Sequence, residues 1–108
     1  MNFISLDSIE VPSKNGVPIR LTPERWWHII ESHSEMGGYF FEVLDTIENP
    51  DIIFEGSTGE LLAVRELNKG HFLVVVYKEL NESDGFAITA FFTKRKIQLE
   101  KKRKIWPS

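Results

Sequence analysis

The chain has 108 residues, 42% of them apolar and with eight Phe, two Tyr and three Trp, which suffices for one core and leaves no room for a second domain. It holds no cysteine, so disulfides, thiol nucleophiles and Cys-bearing zinc sites are excluded, and a reducing cytoplasm is the expected compartment. The net charge of −3 divides unevenly: residues 1–93 carry 6 basic and 15 acidic side chains, a balance of −9, whereas residues 94–108 carry 7 and 1, a balance of +6.

The N-terminus lacks a basic start and a long apolar run, so neither a signal peptide nor a membrane anchor is expected. Residues 1–20 read as an irregular lead-in, with turn signals at Pro12 and Ser13-Lys14-Asn15-Gly16 and a short strand around Val17 to Leu21. The first strong element follows. Thr22 is suited to cap a helix, Pro23 to its first position and Glu24 to its positive dipole end, and the helix is predicted to reach about Ser32–Ser34. Gly37-Gly38 separates it from a second helix, Tyr39 to about Glu48, in which Tyr39, Phe40, Val43, Leu44 and Ile47 recur at helical spacing.

Asn49-Pro50 ends that helix, and the pattern changes to strands over 51–55, 60–67, 72–79 and 85–93, rich in Val, Ile, Phe and Tyr. The breaks between them are short, as antiparallel neighbours require. The expected fold is therefore α+β: two N-terminal helices packed on a four-stranded antiparallel meander, with a basic C-terminal segment over 94–108, all in one domain. The basic segment is either a contact for a phosphate backbone or a solvated face that offsets the acidic body.

On a helical wheel Trp26, Trp27, Ile29, Ile30 and His33 share the apolar arc, while Arg25 and His28 lie on the polar one. His33 then reads as a core residue or as a catalytic group lodged against the sheet. His28 has Arg25 as its neighbour one turn earlier. In the last strand, alternation puts Thr89 and Thr93 on one face and Phe86, Ile88, Ala90 and Phe92 on the other. The threonines are ordinary strand formers or hydroxyl donors to a phosphate, and Arg65 and Lys78, each next to apolar residues, are natural phosphate cations.

Metal-free RNA cleavage needs a base for the 2′-OH, an acid for the leaving 5′-oxygen and donors for charge on phosphorus, and His, Arg, Lys and Thr can supply them. Neither a metal nor a cofactor is expected. His28 and His33 stand five apart, which is not the His-Glu-x-x-His interval of a zinc hydrolase. No Gly-x-Ser-x-Gly elbow and no Gly-rich phosphate loop occurs.

The run from Arg20 through Thr22-Pro23-Glu24-Arg25-Trp26-Trp27-His28 to His33, then Glu48-Asn49-Pro50-Asp51, Val76-Tyr77-Lys78 and Ile88 to Thr93, resembles the phage-associated branch of the barnase–EndoU–colicin–RelE (BECR) superfamily. The resemblance covers about residue 17 to Trp106. It implies N-terminal helices on a four-stranded antiparallel sheet and a metal-independent ribonuclease of toxin type. RNA would be the partner, transfer RNA being cut by several members, and a cognate antitoxin or immunity protein a second one. It would make His28 the helix histidine with Arg25 as the basic residue three before it, His33 a second histidine, Lys78 a strand cation and Thr89 or Thr93 the late-strand hydroxyl. Arg65, Thr93, Lys94 and Arg95 complete the expected RNA contacts. The competing expectation is a module of the same fold that binds RNA or protein without cleaving it.

Overall fold

The structure is a computed structural model that describes residues 9–107. In chain order it forms β1 (Ile9–Pro12), β2 (Pro18–Leu21), α1 (Pro23–Ser32), a 3-10 helix (Ser34–Gly38), α2 (Phe40–Glu48), β3 (Ile52–Glu55), β4 (Leu61–Asn68), β5 (His71–Asn81), β6 (Asp84–Thr93), α3 (Lys96–Glu100) and β7 (Arg103–Trp106). The strands make a single sheet in the order β1-β2-β6-β5-β4-β3-β7. Its neighbours are antiparallel except β2 and β6, which run parallel.

The fold is α+β, but the expected two helices on a four-stranded antiparallel sheet are overturned by this seven-stranded mixed sheet with three α-helices. Both ends of the chain supply the difference. In the expected lead-in, of which residues 1–8 lie outside the described residues, Ser13 to Gly16 form a hairpin turn. The Gly16 N–H bonds the Ser13 carbonyl at 2.9 Å, and Gly16 takes a φ of +80° that a residue without a β-carbon adopts freely. That hairpin carries β2 alongside β6. The basic segment is likewise built in: α3 covers part of one sheet face, and β7 pairs with β3.

Two apolar clusters lie on opposite faces of the sheet. Ile29 of α1 and Val43, Leu44 and Ile47 of α2 pack with Ile19, Leu21, Leu73, Val75 and Tyr77 on one face, the helix face. Phe54, Leu62, Val64, Phe72 and Val74 pack under Leu99 of α3 on the other. Burying each such side chain contributes about 1.5–3 kcal/mol. The two outer strands also approach each other, because the Lys14 ammonium of the β1–β2 turn sits 4.9 Å above the Trp106 ring of β7. The sheet thus curls round α2, which touches β1, β4 and β5. Among the described residues no helix is long and apolar enough to cross a membrane.

Tyr77 is wholly buried in the helix-face cluster, and its hydroxyl has no hydrogen-bond partner among the described residues. Burial, and to a lesser degree the charge of Glu79, pushes its ionisation well above the usual tyrosine range. The unfolded chain would lose this proton near pH 10, about the free value, and the folded chain holds it to higher pH, so stability falls as pH rises past that point. Tyr77→Phe removes the unpaired oxygen and is expected to raise stability at neutral pH by about 1 kcal/mol. It should also flatten the alkaline loss; urea unfolding between neutral and strongly alkaline pH reads both effects, and a less stable Phe variant would contradict this account.

Candidate functional site

The site is set by how β2 and α1 meet β6. β2 pairs with β6 only at Ile19 with Gly85 and Arg20 with Phe86. Gly85 permits the approach, since a β-carbon there would lie 2.6 Å from Ile19 Cδ1 and 2.7 Å from the Lys78 carbonyl oxygen. Beyond that point α1 runs along β6. Thr22 caps α1, its Oγ1 accepting the Arg25 N–H at 3.0 Å, and Ile29 is the buried residue of the helix.

Two shallow clefts open side by side between α1 and β6, and Arg25 lines both. One, of about 240 Å³, is lined by Arg20, Thr22, Arg25, Phe86 and Ala87. The other, of about 230 Å³, is lined by Arg25, His28, Ile29, Ser32, Ile88 and Thr89. Three expected site residues, Arg25, His28 and Thr89, therefore converge. The His28 imidazole is more than half exposed, with Nε2 3.8 Å from Glu24 and Nδ1 3.5 Å from Glu31, distances too long for good hydrogen bonds.

A β-bulge changes which side chains share a face. Val76 stands opposite Thr89 and Tyr77 opposite Ala87, so Ile88 is an extra residue in β6. Strict alternation put Phe86 on the face opposite Thr89; the bulge moves it onto the same face, with Phe91 and Thr93. Lys78 lies opposite Phe86, so it too belongs to this face, and the row Arg20, Phe86, Lys78 crosses three strands. Arg20 and Phe86 thus line the candidate site, and the sequence reading missed both. A run of alternating residues gives no sign of a bulge.

Other expected residues are placed elsewhere. Helix α1 stops at Ser32, and His33 is its C-cap rather than a wheel position. Its ring lies 5.9 Å from Phe91 and its Nδ1 3.8 Å from Glu35. Arg65 stands opposite Leu73 on the helix face and ion-pairs with Asp45 of α2, which removes it from the face that Lys78 occupies. Thr93 Oγ1 accepts the Arg95 N–H at 3.0 Å and so turns the chain toward α3. Lys94 and Arg95 are exposed and line a separate depression of about 460 Å³ with Lys96, Gln98 and Lys101. The remaining histidine, His71, stacks on Phe92 at 4.5 Å, where Tyr39 meets the same ring edge-on.

Trp27, expected on the apolar arc, is 62% exposed; Ile29 alone of α1 is buried, so the stripe the helix buries is narrower than the wheel predicts. Among the described residues no group of three or more His, Asp or Glu is placed to hold a metal ion. What the cleft can do chemically is bind an anion through Arg25, offer hydroxyls from Thr89 and Ser32, and move a proton at His28. No protein-family model, no curated protein and no solved structure matches the chain.

Proposed function

We propose that this protein acts on RNA at the α1–β6 cleft as a metal-independent endoribonuclease of toxin type, working in a reducing cytoplasm. The observation that carries this reading is the convergence of Arg25, His28 and Thr89 on one open cleft. The resemblance of the Arg20 to His33 run and of the late strand to BECR ribonucleases agrees with it, and makes transfer RNA a substrate class to try first and an antitoxin or immunity protein a partner.

In this mechanism the guanidinium of Arg25 and the Thr89 hydroxyl hold the scissile phosphate and offset the charge that develops on its oxygens. His28 takes the proton from the 2′-OH as the 2′-oxygen bonds to phosphorus. The bond from phosphorus to the 5′-oxygen breaks, and that oxygen takes up a proton from His28 or from water reaching the open cleft. The products are a 2′,3′-cyclic phosphate and a 5′-hydroxyl end.

His33 and Arg65 have no part in this step, since neither lines the cleft. Their separation favours a second reading, RNA binding without cleavage, in which Arg25 and the Lys94–Lys101 surface hold the backbone. The two readings part in one assay. Purified protein incubated with total and transfer RNA in EDTA is expected to release fragments ending in 2′,3′-cyclic phosphate. RNA that is bound yet stays intact would replace the first reading by the second.

A further inference from the structure

The cleft's chemistry extends beyond the residues that would touch a scissile phosphate. Phe86 is only half-buried and lines the first of the two clefts with Arg20 and Arg25, and across the sheet it is flanked in register by Arg20 and Lys78. Arg20 bonds Asp84 through Nε at 3.0 Å, and its Nη groups have no hydrogen-bond or ion-pair partner among the described residues. Lys78 is half-buried and shows no ion pair among the described residues. An aromatic ring is thus set among three cationic side chains, with Thr89 on the same sheet face.

Resting on the reading of the cleft as an RNA site, we infer that Phe86 is a stacking platform for one unpaired base, so that the substrate is single-stranded RNA. The base lies on the Phe86 ring, and the phosphates on either side of it meet Arg25 and Lys78. Charge complementarity selects a polyanion for this face, since Arg20, Arg25 and Lys78 are three of the six basic residues that residues 1–93 contain. The aromatic floor selects one whose flat faces are free. In an A-form duplex those faces are closed by stacking and the major groove is too narrow to admit side chains, so only a splayed base reaches a ring recessed between a helix and a strand. Stacking on an aromatic side chain also tolerates any base.

The test is fluorescence anisotropy at low salt with fluorescein-labelled oligouridine of about eight nucleotides, a length within the usual site sizes of single-strand grooves, and with an RNA duplex of equal length. The wild-type chain is expected to bind the single strand at least tenfold more tightly than the duplex. Phe86→Leu should weaken single-strand binding about tenfold, and Lys78→Ala, which leaves the ring in place, should weaken it and reduce its salt dependence. Phe86→Trp should keep the affinity and show RNA quenching of indole emission beyond that of the wild-type chain, whose Trp26, Trp27 and Trp106 set the background, a gain that a packing role would not produce.

Equal affinity for single strand and duplex overturns the inference while the cleft still stands as an RNA site. So does a folded Phe86→Leu chain that binds like wild type, or a folded Phe86→Trp chain that binds RNA with no more quenching than wild type. If the wild-type chain binds neither RNA, both the inference and the proposed function fall.

Discussion

His28→Ala is expected to lower the rate of RNA cleavage by about 100- to 10,000-fold, the usual contribution of a positioned acid–base group. The imidazole is the sole histidine ring lining the α1–β6 cleft, so no second ring there can take over the proton transfer. The same change should leave the fold intact, because an exposed side chain away from caps and cores shifts stability by no more than about 0.5 kcal/mol. His33→Ala is the control. That ring sits at the end of α1 beside Phe91, and cleavage should stay near the wild-type rate. Initial rates on labelled RNA in EDTA, with thermal melts of each variant, read both. A His33 variant that is inactive and folded, beside an active His28 variant, would move the chemistry away from the cleft.

A chain ending at Thr93 is expected to lose cooperative folding, although by composition it loses only a charged tail. The segment removed holds β7, which pairs with β3, and Leu99, which closes the second apolar cluster. Ile105 and Trp106 pack against the helix-face cluster. Truncating a buried Leu to Ala costs about 2–5 kcal/mol, against a total stability of about 5–15 kcal/mol for a typical domain. Losing Leu99, Trp106 and an edge strand together therefore removes most or all of the margin. Urea unfolding followed by near-ultraviolet circular dichroism should show a single transition for the full chain and none for the shortened one. A Thr93-ending chain with an unchanged transition would contradict the docking of β7. Truncation is consequently a poor test of RNA contacts made by the basic segment, and Lys94→Gln, Arg95→Gln and Lys101→Gln are the cleaner changes.

Local rules made much of the chain legible. Thr22-Pro23-Glu24 announces the start of α1, and the cap bond from Arg25 N–H to Thr22 is there. Asn49-Pro50 lies where α2 ends, and the glycine- and asparagine-bearing breaks lie between the central strands. What was hidden is non-local. Arg103–Trp106 is four residues long, rich in charge, and is held as a strand by β3, far earlier in the chain, whereas Ile9–Pro12 is held by its hairpin with β2, which joins the sheet only through the distant β6. Parallel pairing of β2 with β6 depends on the missing side chain at Gly85, which alternation alone does not single out.

The candidate site was legible in part for the same reasons. Arg25 and His28 share the cleft because three residues are nearly one helical turn, a spacing visible in sequence. Thr89 joins them because α1 lies against β6, which no local pattern shows. Phe86 was assigned to the wrong face because Ile88 is an extra residue in the strand. Arg65 reads as a phosphate cation from its neighbours in sequence because its partner, Asp45, lies 20 residues earlier on α2.

The central claim is that RNA meets this protein at the cleft between α1 and β6. Backbone-amide NMR shifts followed during titration with short oligouridine test it most directly. The account predicts the largest changes over Thr22–His28 and Phe86–Thr89, with smaller ones over 94–101. Changes confined to 94–101, or spread over α2 and β3, would contradict it.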